Sequence, residues 1–215
     1  MVLGLIRKKE RWGFTFGGWL LVLVLVGSAA LFGVVEVHSF LALNRPVEGD
    51  ILVVEGWLPS YALEEAVKEF NGKGVSLLIA TGGPLAQGHY LIKYTSYAEL
   101  TAVTLKEMGV DEKMIKAVPA EGVQKDRTYA SAVALREWLS ASGLKVKGIN
   151  VVSLGCHARR TWLLFERAFE GEDVEIGVIS ELNRDYDPER WWGSSAGVRT
   201  VIGESIAYFY ARVLF

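Results

Sequence analysis

From Phe14 to Val35 the chain runs for about 22 positions without one charged side chain. At ~1.5 Å per residue a helix of that length crosses a hydrocarbon core of ~30 Å. Arg7, Lys8, Lys9 and Arg11 stand just before the run, and a basic flank favours keeping the N-terminus on the cytoplasmic side. The expected layout is a basic cytoplasmic N-terminus over 1–13, a transmembrane signal anchor over 14–35, a tether over 36–48 and an extracytoplasmic domain over 49–215. The expected location is therefore the plasma (inner) membrane, as a single-pass protein. Ser28-Ala29-Ala30 offers a small-residue cleavage site, so a removed secretory signal stands as the alternative. Apolar sequence continuing through Leu31, Phe32, Val34 and Val35 makes the run longer than an ordinary signal core.

Behind this segment, roughly 170 residues remain, enough for one domain with a sizeable core. The net charge is −2 and the basic residues are dispersed, so the chain carries no electrostatic footprint for nucleic acid. Cys156 is the only cysteine, which excludes an intrachain disulfide and a cysteine-rich metal centre.

From Pro46 onward short apolar runs alternate with helical patterns. Strands are predicted at Ile51–Val54, Val75–Ala80, Ile115–Val118, Ile149–Leu154 and Val174–Ile179. Leu63, Ala66, Val67 and Phe70 recur at helical spacing. Further helices are predicted at Ser96–Met108, Thr128–Leu139, around Trp162, Phe165 and Phe169, and at Ser195–Phe215 with Val198, Val201, Ile202 and Phe209 facing inward. Each parallel connection needs a crossover, so alternating strands and helices argue for a doubly wound, mostly parallel five-stranded α/β sheet of Rossmann-like type. Such sheets bind ligands beyond the carboxyl ends of their strands.

Those ends carry Glu55-Gly56-Trp57, Thr81-Gly82-Gly83, and Ser153-Leu154-Gly155-Cys156 leading to His157, Arg159 and Arg160. A loop from Pro84 to Thr95, with Gln87, His89 and Lys93, follows the second strand and is a candidate lid. A histidine and two arginines in the first turn of a helix sit badly with its positive end. An anion held there reverses the sign, through the helix N-terminus, the arginine donors and the Gly82-Gly83 amides. The competing reading turns both arginines outward to pair with Glu166 or Glu170. Glu99 completes a Ser96-x-x-Glu99 capping box, and Thr128 suits an N-cap, so both have structural explanations. Cys156 reads as a small buried thiol. A Gly-x-Ser-x-Gly elbow, a phosphate-binding loop of the Walker type and Gly-x-Gly-x-x-Gly after the first strand are all missing from the sequence.

The order of Gly56, Thr81-Gly82-Gly83, Glu99, Thr128 and Ser153 followed by His157 and Arg160 resembles the YdcF/SanA/ElyC family, the domain of unknown function 218. The resemblance covers Asp50 to Phe215, and the stretch from Val53 to Pro59 is similar to cyanobacterial-type members. It implies a Rossmann-like domain and, for membrane-anchored members, a role in envelope or peptidoglycan biogenesis without a settled reaction. It implies His157, Glu99 and Ser153 as catalytic residues, with Gly56, Thr81, Gly82, Gly83, Thr128 and Arg160 binding the ligand. Tyr129-Ala130-Ser131 departs from the acidic residue or Asn that relatives often carry there. Cys156 likewise replaces an aromatic.

The leading expectation is an envelope-biogenesis factor binding an anionic small-molecule or lipid-linked ligand, as a hydrolase or transferase at phosphate or acyl groups. His157 would act as acid or base, with Glu99 orienting it or activating water. Glu99 and His157 are too few ligands to claim a metal. No cofactor is identified. One alternative is a non-catalytic module for a nucleotide-like ligand or S-adenosylmethionine. Another is a scaffold for envelope proteins, with Trp191-Trp192 and the apolar end from Phe209 to Phe215 packing on the bilayer surface or on a partner.

Overall fold

In the computed structural model of the chain, residues 14–72, 74–85 and 93–213 are described. The basic flank, Gln87, His89 and most of the candidate lid lie outside them. The chain divides into two units, Met1–Glu36 and Val37–Phe215. In the first, helix α1 (Phe16–Leu41, 26 residues) begins; it is long and apolar enough to cross a membrane, a length and composition that a signal sequence shares.

The second unit is a five-stranded, all-parallel sheet with the order β3-β2-β1-β4-β5. The strands are β1 (Ile51–Glu55), β2 (Leu77–Gly82), β3 (Ile115–Pro119), β4 (Gly148–Leu154) and β5 (Glu175–Glu181). The helices are α2 (Ser60–Gly72), α3 (Tyr97–Glu107), α4 (Arg127–Ser142), α5 (Ala158–Ala168) and α6 (Ser195–Val213). Successive side chains of a strand point to opposite faces. Leu52, Val54, Leu78 and Ala80 therefore meet Leu63, Ala66 and Phe70 of α2 and Leu105 of α3 on one side. Ile51, Val53, Ile79 and Val151 meet Leu135 of α4 and Phe165 of α5 on the other. Both faces are covered, and the continuous apolar strands are what that burial requires.

The order makes β1 and β4 the central neighbours, with the chain winding one way from β1 to β3 and the other way from β4 to β5. The crevice outside the carboxyl ends of β1 and β4 is the topological switch point, where doubly wound sheets take their ligands.

The stretch expected as a tether is bound into the second unit. The last turn of α1 buries Leu41, worth about 2–3 kcal/mol for a side chain of that size, in a small core with Cys156, Tyr186, Trp191 and Val201. Arg45 pairs with Val178 of β5 through both peptide groups, at 2.8 and 3.0 Å. The Asn150 side chain, buried inside β4, holds the Val47 N–H and C=O at 2.8 Å each.

Helix α6 corrects one expectation. Val201 is buried, but Val198, Ile202 and Phe209 face solvent. The packed face instead carries Gly197, Val201 and Ala211, because Gly197 lets the helix approach the Trp191 backbone closely. Trp191 is buried and Trp192 half-exposed.

Candidate functional site

β1 ends in Glu55, the one acid of an otherwise apolar strand. β4 ends beside it, and a single 3-10 turn, Gly155–His157, delivers His157 at the start of α5. Gly155 makes that turn at φ +48°, a left-handed conformation that favours glycine. Glu55 is almost wholly buried and its Oε2 accepts from Ser153 Oγ at 2.6 Å and Thr161 Oγ1 at 3.2 Å. Its Oε1 lies 3.5 Å from His157 Nε2.

On the far side of the imidazole, Nδ1 is 3.0 Å from Glu204 Oε1, supplied by α6. Arg160, one turn along α5, donates from Nε to Glu204 Oε2 at 2.9 Å and from Nη2 to Oε1 at 3.0 Å, a two-pronged pairing. The Trp57 and His157 rings meet steeply, at 75° between planes and 4.9 Å between centroids. The His157 side chain is only 13% exposed.

The electrostatics follow from this packing. Burial opposes charge on His157, but Glu55 and Glu204 outweigh it and push the pKa up to about 9. Arg160 Nη2, 2.9 Å from Nδ1, opposes a proton on that nitrogen; two carboxylates against one guanidinium leave the ring an imidazolium at neutral pH. Burial would raise Glu204, yet His157 and Arg160 hold it down to about 2. Burial would likewise raise Glu55, which His157 and the Ser153 hydroxyl hold below the ordinary carboxylate range. Two anions and two cations cancel, so the cluster is internally neutral.

Glu55, His157, Arg160 and Glu204 all line a cavity of about 720 Å³ that also reaches Gly56, Thr81, Gly82, Gly83 and Thr128. Gly56 is required there: a Cβ would lie 2.7–2.8 Å from backbone atoms of Thr81 and Tyr97. Gly82, at φ +153°, would put a Cβ 2.8 Å from that of Tyr97. The rim includes Lys125 and Arg127 at the start of α4. The N-cap of α4 is Asp126, in the left-handed region with no side-chain capping bond, and Thr128 lies inside the first turn.

The predicted site residues thus divide. Gly56, Thr81, Gly82, Gly83, Thr128, His157 and Arg160 share one cavity. Glu99 does not line it: its Oε2 accepts from Thr95 N and Oγ1 at 2.8 Å each, while its own N–H donates to Ser96 Oγ, so it closes the start of α3. Ser153 is fully buried and spent on Glu55 and Thr161. Arg160 is committed to Glu204, and Arg159 lies 3.9 Å over the Phe40 ring and donates to the Phe40 carbonyl. Neither pairs with Glu166 or Glu170. Burial pushes the Cys156 thiol up to about 11, beside Tyr186.

Sequence reasoning missed Glu55 and Glu204 as members of the cluster. Each had a signal, since Glu55 terminates an apolar strand and Glu204 is the sole acid within Ser195–Val213. Among the described residues, no three His, Cys, Asp or Glu side chains are grouped to hold a metal ion. No family model matches the chain, and no curated protein matches it.

Proposed function

We propose that the chain is a membrane-anchored factor of cell-envelope biogenesis. Its cavity receives an anionic peptidoglycan or lipid-carrier intermediate and acts on it as a hydrolase or transferase at a phosphate or acyl group. The observation that carries this reading is the placing of His157 between Glu55, 3.5 Å from Nε2, and Glu204, 3.0 Å from Nδ1, at the switch point of the sheet, where the two carboxylates favour its protonated form. An imidazolium there serves as a general acid, giving its proton to the leaving oxygen and recovering one from solvent. The nucleophile is then water or an acceptor hydroxyl, because Ser153 and Cys156 are buried. The anion falls to the Gly82-Gly83 backbone, the uncapped start of α4, and Lys125 and Arg127 at the rim. Arg160 positions Glu204 and His157 rather than gripping the ligand.

The second reading is a module that binds a nucleotide-like ligand or S-adenosylmethionine without turnover. The internal pairing of the cluster favours it, since both ring nitrogens of His157 and the Arg160 guanidinium already face carboxylates of the protein. The full chain in lipid vesicles, offered phosphorylated prenyl lipids and nucleotides, separates the two. Product release that His157→Gln reduces by about 10²-fold or more supports the enzyme. Thermal stabilisation by a ligand without product supports the module. Neither effect with any anionic ligand refutes both.

A further inference from the structure

Helix α6 has two working faces. At 3.6 residues per turn, Thr200, Glu204, Ala207 and Ala211 stack on the side that lines the cavity. The opposite side carries Val198, Ile202, Ile206, Phe209 and Val213, all exposed, with Ile206 at 66%, Phe209 at 64% and Val213 at 59%. This stripe is about 22 Å long. Arg212 borders it on one edge and Arg199 on the other, and both are exposed. The only acid of the helix, Glu204, points the other way into the ion cluster.

We infer that this outer face of α6 docks on an anionic bilayer surface, lying in the interface with its apolar stripe in the acyl boundary and Arg199 and Arg212 on lipid phosphates. An apolar stripe edged by cations and free of exposed acid is the pattern of an interfacial helix. Charge selects the occupant. A two-fold pairing of this face with a second copy would bring four arginines together with no carboxylate of the helix to receive them; lipid phosphates supply that partner. The last turn of α1, where the apolar helix enters the folded unit, meets this same helix through Phe40 and Tyr208, at 5.5 Å between rings. The inference is independent of the chemistry proposed for the cavity.

The full chain is reconstituted in vesicles of phosphatidylcholine, with and without phosphatidylglycerol. Cys156 is buried, so a fluorescent thiol probe on Ile206→Cys, on Phe209→Cys, or on the exposed control Glu137→Cys reports one site each. The first two are expected to be quenched from the lipid phase and shielded from an aqueous quencher, more strongly with phosphatidylglycerol; the control behaves oppositely. Arg199→Gln or Arg212→Gln is expected to lower the docked-to-undocked ratio about fivefold in the anionic vesicles alone. Three results overturn the inference. In one, the α6 probes are as open to water as the control. In another, shielding ignores lipid charge and both arginine variants. In the third, shielding comes with energy transfer between copies and no lipid-phase quenching.

Discussion

His157 is held by competing charges, and its titration therefore reaches into stability. Its pKa is raised from 6.5 to about 9 on folding. The stabilisation this gives is complete below 6.5 and is lost as pH rises through 9, up to about 3 kcal/mol. Glu204 runs the other way: held down to about 2 from 4.5, it contributes fully above 4.5 and fails as pH falls through about 2. The cluster is thus most stabilising between 4.5 and 6.5, and urea unfolding of the detergent-solubilised chain should decline from 6.5 to 9 in the wild type, with a flatter profile in His157→Gln. Glu204→Gln removes one of the two carboxylates and frees Arg160. It is expected to bring the His157 pKa down from about 9 towards 6.5, read by NMR titration, and to cost about 3 kcal/mol. The place of His157 in this cavity was legible because it follows the β4 strand end. Glu204 was not, because only tertiary packing brings a residue 47 positions further along the chain to its Nδ1.

At the scale of elements, the close approach of β1, β2 and α3 is what shapes the cavity. Gly56→Ala would drive a Cβ into the backbone of Thr81 and Tyr97 at 2.7–2.8 Å. A loss of about 1–3 kcal/mol is expected in thermal unfolding. Asn150→Leu fills the same volume but strips both partners from the Val47 peptide groups. It is expected to cost about 2 kcal/mol and to speed proteolysis between Leu43 and Asp50. The strands were readable because parallel, doubly covered strands need unbroken apolar runs, such as Ile51–Val54. The facing of α6 was not. Apolar residues surround most of that helix, so periodicity alone could not tell Val201, which is buried, from Ile202, which is exposed. Glu99 shows the converse case: its local capping pattern was the correct guide, and the motif order placed it in a site it does not line.

At the scale of the molecule, the short core of Leu41, Cys156, Tyr186, Trp191 and Val201 joins the end of α1, the turn before His157 and the helix that carries Glu204. Disturbing one of these parts should disturb the others. Leu41→Ala is expected to cost about 2–4 kcal/mol and to shift the His157 titration, although Leu41 belongs to the apolar core and not to the ion cluster. The same architecture bears on how the folded unit can be isolated. β5 is the outermost strand beside β4, and Arg45 is what covers Val178 there. A fragment cut at Val47 would leave those peptide groups bare, a template on which other chains can add as strands. Such a fragment should self-associate on gel filtration, whereas one starting at Val37 keeps its own cover and should elute as a dispersed species.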